Sequence, residues 1–335
     1  MENKMDRELF GDDCHYYSRP NVPERQIGEY WDTDIERRIR NLLTSQQADV
    51  KERVEHTCRQ FNPIIRDHLR SETALRLSLG DRRQSVPYQV VDGIPISLAR
   101  KLEELPDPIL LILLQNRWLL KNGESALNLL QNHLHSIFRI LDKEDSGEGE
   151  ALRTSSFFIK EILDKLDTFK LQDMIKDINE DVLGAYFFRV PTIQIYWMPI
   201  AIVAGLLDVS VESLSFVVLT HELSHAYTHI GLDIDGGQWN TDKFANTSKM
   251  IVEGLAQFYT ESVCRKHENR QPDVLTAFNK FLEKQSEPYT HFKNWPQEHA
   301  AEVVRFSMIS TRSNNICHYD RFIDELNDNS KKIKQ

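Results

Sequence analysis

The 335-residue chain is 40% hydrophobic and 27% charged, with a formal net charge of -10. That is enough apolar material for one large core or two modest ones, and it gives no electrostatic reason for nucleic acid as the main partner. The most apolar run, Ile109 to Leu114, stops at Gln115, Asn116 and Arg117, far short of a bilayer's thickness, so no membrane span is expected.

The N-terminal segment has neither a basic stretch nor an apolar one of the kind that marks secretion. Cys14, Cys58, Cys264 and Cys317 lie far apart with no C-x-x-C pair, and read as free thiols of a reducing compartment. A cytoplasmic setting is the expectation.

In chain order, Thr33 or Asp34 opens a charged helical stretch, and further helical pieces are expected before Pro63 and over 64–79, where Gly80 and Asp81 are a stop signal. Tyr88 to Ile96, around Asp92-Gly93, reads as a short hairpin or a loop. After Pro106 and Pro108 an apolar helix runs to about Leu120, Asn122-Gly123 turns the chain, and Ser125 to Asp142 gives a second helix antiparallel to the first. The charged run Lys143 to Glu150, with Gly147 and Gly149, marks a boundary. Residues 1–150 then form a mostly helical region for substrate selection or regulation, and 151–335 a second domain.

Helices over 154–167 and 171–184 lead to a strand at 192–198, which Pro191 and Pro199 confine to a sheet edge or to a very short length. A helix near 199–207 follows, and Asp208 or Ser210 caps the next one. That helix, at 214–230, is apolar on almost every side before His221, so it runs through the interior until Gly231 ends it.

It carries His221-Glu222-Leu223-Ser224-His225. Four residues apart on an α-helix, the two histidines sit ~6 Å along the axis and only ~40° apart around it, so both imidazoles reach one ion. Glu222 is turned ~100° from His221 and flanks the ion's open side. Zinc accepts imidazole nitrogen and in catalytic sites takes three protein ligands plus a water, for which Glu222 is placed as proton acceptor. With 12 His among 335 residues, the motif is expected by chance only about 0.03 times, which argues against accident.

A metzincin layout is excluded, because the positions it needs for Gly and for its third ligand hold Thr228 and Gly231. Downstream, Thr247 or Ser248 caps a helix whose apolar face is Met250, Ile251, Leu255, Phe258 and Val263. Glu253 lies within that face, where an unpaired carboxylate is strongly disfavoured unless it meets a cation such as zinc.

The pair His221-Glu222-Leu223-Ser224-His225 and Glu253-Gly254-Leu255-Ala256 resembles the gluzincin metallopeptidases. Over Glu253 to Tyr259 it is also similar to the aminopeptidase branch of that group and to ImmA/IrrE-type peptidases. The link from His225 to Glu253 is longer than in the aminopeptidases. The resemblance spans roughly 192 to 266 and implies an α+β, predominantly α fold, a zincin-like domain with a small sheet after a helical N-terminal region. It further implies a zinc peptidase with metal ligands His221, His225 and Glu253, Glu222 as acid and base, and a peptide or protein substrate docked on the strand at 192–198.

Such enzymes add an oxyanion donor; Tyr259, Tyr289, His291, His318 and Tyr319 are available, with Tyr289 and His318 the better placed. Helical drift carries His229 away from the ion, towards a supporting or surface role. Asp233, Asp235 and Asp242 are candidates to orient a ligand histidine through its second nitrogen, or plain loop acids. The alternatives to a peptidase are a regulatory protein that keeps the zinc as a scaffold, against which Glu222 argues, and a zinc hydrolase of other electrophiles.

Overall fold

The computed structural model describes residues 48–77, 86–92, 116–141, 147–168, 182–297 and 299–334. The expected helix from Thr33 or Asp34, the stop at Gly80 and Asp81, and most of the apolar helix before Arg117 lie outside these residues.

Helix α1, Ala48–Thr73, continues through Pro63 rather than ending before it, and stops six residues short of position 79. A proline inside a helix costs about 3 kcal/mol through a lost hydrogen bond and a ring clash. That cost is offset by a continuous apolar stripe, Val50, Val54, Cys58, Phe61, Ile65 and Leu69, all buried at spacings of three and four residues. Pro63 faces solvent. The stripe packs on the helix that carries the histidines, and Arg53 forks onto Glu212 of that helix at 2.7 and 2.9 Å.

Strand β1, Tyr88–Val91, occupies the first part of the expected hairpin or loop, whose residues 93–96 lie outside the described ones. Helix α2, Arg117–Leu141, runs straight through Asn122-Gly123. Among the described residues α2 pairs with α3, Gly147–Thr168. Gly123 lies opposite Ile159 of α3 with room for a Cβ at ordinary van der Waals distance, and the pairing of α2 with α3 overrides the turn signal. Of the helix expected over 171–184, residues up to 181 lie outside the described ones, and Gly184 already begins strand β2, Gly184–Phe187.

Strand β3, Thr192–Tyr196, sits where a strand was expected but ends sooner, because Trp197 and Met198 open helix α4, Trp197–Leu207. Among the described residues the sheet has the order β1-β3-β2, with β1 parallel and β2 antiparallel to β3. β3 is thus the central strand, which corrects the edge assignment. Neither proline removes a ladder bond: Pro191 precedes the strand, and Pro199 falls in the first turn of α4, where its missing N–H is not needed. Ile193 and Ile195 are fully buried, as a central strand requires. The edge nearer the histidines is β2.

Helix α5, Val211–Ile230, starts on Ser210, whose hydroxyl accepts from the Ser213 amide, and is buried around its whole circumference up to His229. It is the axis of the fold, contacted by α1, α4 and β2 and by α7, Lys249–His267, and α8, Pro272–Leu282. Between α5 and α7 lies the short α6, Thr241–Ala245. The chain closes with α9, Glu287–Thr290, a 3-10 turn at His291–Asn294, α10, Ala300–Asn314, and α11, Tyr319–Ile333. The result is a predominantly helical α+β fold with one small mixed sheet. No described helix is long and apolar enough to cross a membrane.

Because α1 belongs to the same buried cluster as Leu214, Leu219 and Leu255, Ile65→Ala or Leu69→Ala is expected to cost about 2–5 kcal/mol. Urea unfolding checks it; a loss under 1 kcal/mol at both positions would show α1 to be peripheral.

Candidate metal centre

Two buried helices converge on one point. His221 and His225 project from α5, and Glu253, 1% exposed, projects from α7, which Ser248 caps by accepting from the Met250 amide. The two Nε2 atoms are 3.1 Å apart, and Glu253 Oε2 lies 3.4 Å from His221 Nε2 and 3.1 Å from His225 Nε2. A tetrahedral zinc with ligands at about 2.0–2.1 Å holds its ligand atoms about 3.3 Å apart. The triangle matches that spacing.

The directions of the atoms fit the same interpretation. Glu253 Oε2 is close to both rings yet is not in hydrogen-bonding alignment with any group among the described residues. Two imidazole nitrogens and a carboxylate oxygen gathered this closely, with the carboxylate oxygen unpartnered, are a ligand set for a cation. Burial pushes the Glu253 carboxyl up, but the two neighbouring imidazoles more than reverse this and hold it well below the usual carboxylate range. Among the described residues these are the only three His, Cys, Asp or Glu groups so gathered. The cluster is consistent with a catalytic zinc site of the zincin kind, since three protein ligands leave a coordination position open.

A cleft adjoins the cluster on the side of His221. His221, Glu222 and Tyr289 line it together with Gly184 at the start of β2. Gly184 has no room for a side chain: a Cβ there would sit 2.9 Å from Val218 Cγ1 and 3.0 Å from Glu222 Cγ. The strand thus presses directly on Glu222 and fixes its position. Gly254 is constrained similarly, since a Cβ would meet the Trp295 ring at 2.7 Å, so the residue after Glu253 is small because an aromatic ring seats on α7 there. Trp295 is in turn held by its indole N–H donating to the Tyr319 hydroxyl at 3.1 Å.

The sequence-proposed donors separate in space. Tyr289 is buried in the cleft with its ring centroid 6.1 Å from that of His221. His318 lies in a different, polar cavity with Arg321, Asp324 and Lys331. Tyr259 is fully buried and donates to Met308 Sδ, and His291 packs edge-on against Tyr319. Neither Asp233, Asp235 nor Asp242 reaches a ligand ring: Asp233 Oδ1 accepts from the Asp235 and Gly237 amides, and Nδ1 of His221 and of His225 meets no partner among the described residues. The loop they occupy is pinned instead by Arg312, buried and donating to the Gly231 and Gly237 carbonyls at 2.5 and 3.0 Å, its guanidinium pulled down to about 10 by burial.

His229 is fully buried rather than at the surface. Its Nδ1 meets the Tyr186 hydroxyl at 3.0 Å, its Nε2 meets Thr241 Oγ1 at 3.2 Å, and its ring stacks on Phe244 at 4.4 Å. It therefore ties β2, α5 and α6 together. Sequence reasoning passed over Gly184 and the cleft residues Gln257 and Lys284, and met Gly254 only as part of a motif; the partners that give these glycines their meaning, Glu222 for Gly184 and Trp295 for Gly254, are distant in sequence.

Compared with family models, curated proteins and solved structures, the chain gives no match.

Burial, followed by the nearby Arg312 and His225, lowers the His229 pKa to about 4. The unfolded chain, with an ordinary value near ~6.5, binds that proton first, so stability contributed by neutral His229 is complete above about 6.5 and is lost as pH falls towards 4. The total is about 3 kcal/mol. Chemical unfolding between pH 7 and 4 should show this loss in the wild type, and His229→Gln should lack that part of the slope; equal slopes would refute it.

Proposed function

We propose that this chain is a zinc-dependent metallopeptidase of the gluzincin type. The observation that carries the reading is the 3.1–3.4 Å triangle of His221, His225 and Glu253, with Glu222 beside it on the wall of an open cleft. A structural zinc takes four protein ligands and has no use for a general base, so three ligands and an adjacent carboxylate favour catalysis over a scaffold.

When bound, zinc supplies Lewis acidity that polarises a carbonyl and acidifies water. The chain's own groups do the rest. Glu222 accepts a proton from the attacking water and later delivers it to the departing amine, so that one C–N bond is broken, a carboxylate and an amine leave, and Glu222 is regenerated. Burial of Glu222 at 3% exposure, pressed by Gly184, keeps its carboxylate in one orientation for both transfers. The Tyr289 hydroxyl is the proposed donor to the oxyanion, on the strength of its place in the cleft beside His221.

An extended substrate is assigned to the edge of β2. That strand has β3 on one side and no paired strand on the other among the described residues, and Gly184 places its start against Glu222. The central position of β3 leaves it no edge for this role.

The purified protein should hold close to one zinc per chain by elemental analysis. Glu222→Gln should keep the metal and lose about 10²–10⁴-fold in peptide cleavage, whereas Glu253→Ala should lose the metal. A wild type without zinc, or a Glu222→Gln enzyme as active as the wild type on a peptide library, would overturn the reading.

A further inference from the structure

Beyond the metal, the cleft continues between α5, α7 and the segment after α8. One side is apolar, formed by Val182, Leu183, Val203, Val217, Val218 and Phe281. The other side presents Gln257, Lys284 and Gln285. These polar groups are distributed unusually.

Gln257 is 2% exposed; its Nε2 donates to Gln285 Oε1 at 2.8 Å, but its Oε1 is buried without a partner among the described residues. A buried acceptor left in that state is costly unless something entering the cleft supplies an N–H. Lys284 forms no ion pair with any described residue. Its neighbours behave differently: Lys280, one turn earlier, reaches Asp208 and two carbonyls, Lys293 reaches Glu261, and Lys266 reaches Glu72. In a chain of net charge -10, a lysine in a cleft with no carboxylate of its own is an anion receptor awaiting its anion.

We propose that this part of the cleft takes the C-terminal residue of a peptide, with its carboxylate on Lys284 and the Gln285 amide, its N–H on Gln257 Oε1 and its apolar side chain against Val203, Val217 and Phe281. The proposal rests on the peptidase reading above and names its substrate class. A terminal residue is the one position in a peptide that offers an N–H, a carboxylate and a side chain within a few ångströms of one another. An internal acidic residue offers the carboxylate but places it on the side chain, which then has no use for the apolar wall. The position of the receptor also sets the product. Gln257 lies four residues after Glu253, hence ~6 Å further along the same face of α7. An extended peptide covers that distance in about two residues, so the released fragment is one or two residues long.

The test uses the full chain as the zinc-loaded Glu222→Gln variant, so that binding is read without turnover. Fluorescence polarisation compares three labelled peptides: one ending in leucine with a free carboxylate, the same peptide as its C-terminal amide, and an amide-ended peptide with glutamate in place of leucine. The free acid should bind about ten-fold or more tighter than either amide. Adding Lys284→Met should bring the acid to the level of the amides while zinc content holds. In the Glu222-containing enzyme, mass spectrometry should find one- or two-residue fragments from the free acid, and Lys284→Met should raise KM for it more than it lowers kcat. Equal binding of acid and amide, equal binding of the glutamate peptide, or an acid preference that survives Lys284→Met would each overturn the proposal. The peptidase reading fails separately, through absent cleavage with the binding preference intact.

Discussion

Glu253 is the most deeply buried carboxylate among the described residues. A carboxylate with 1% of its surface exposed, on a helix otherwise packed by Ile251, Leu255 and Val263, stands several kcal/mol above its solvated state unless a positive charge meets it. Two imidazoles at 3.1 and 3.4 Å do not supply that charge in their neutral form, and their own lone pairs face the same point. A single divalent cation satisfies all three groups at once. Much else in the protein serves to hold those groups at that spacing.

The supports are mostly apolar and mostly distant in sequence. α5 is held on its flanks by α1, α7, α8 and β2, so His221 and His225 sit on a helix with no solvent face along which to shift. β2 closes against Glu222 through a glycine that has no space to become anything larger, and Trp295 closes against α7 through another. Tyr186 and Thr241 clamp His229 one turn past the second ligand. The ligand rings themselves lack carboxylate partners at Nδ1, so their orientation comes from packing, with Arg312 fixing the loop between the helices through Gly231 and Gly237.

The division between what the residues announce and what they conceal follows sequence distance. His221, Glu222, His225 and the caps Ser210 and Ser248 were legible because each depends on neighbours within one or two helical turns. Glu253 was legible because an acid in an apolar stripe calls for a cation. Pro63 and Gly123 misled because local propensity loses to tertiary packing, a buried stripe in α1 and the pairing of α2 with α3. The position of β3 was invisible for a different reason: alternation identifies a strand, but whether it has one neighbour or two depends on β1, whose own four residues carry too short a pattern to be read. Gln257 and Lys284 look like ordinary polar residues until α7 and the end of α8 are brought to one cleft.

That juxtaposition makes α7 more than a carrier of the third ligand. Successive turns of its inner face present Glu253 to the metal point and Gln257 to the cleft, with Gly254 between them admitting the Trp295 ring. A helix is stiff along its axis, so the distance from Glu253 to the Gln257 amide is set by backbone geometry and not by loop conformation. Any movement of α7 that loosens Glu253 from the two histidines also carries Gln257, and with it Gln285, away from the cleft. The spacing of the His221, His225 and Glu253 cluster and the place of the Gln257 amide in the cleft are therefore two readings of one helix position. The aromatic cluster of Phe258, Trp295 and Phe322, which holds α7 from the side away from the metal, acts on both.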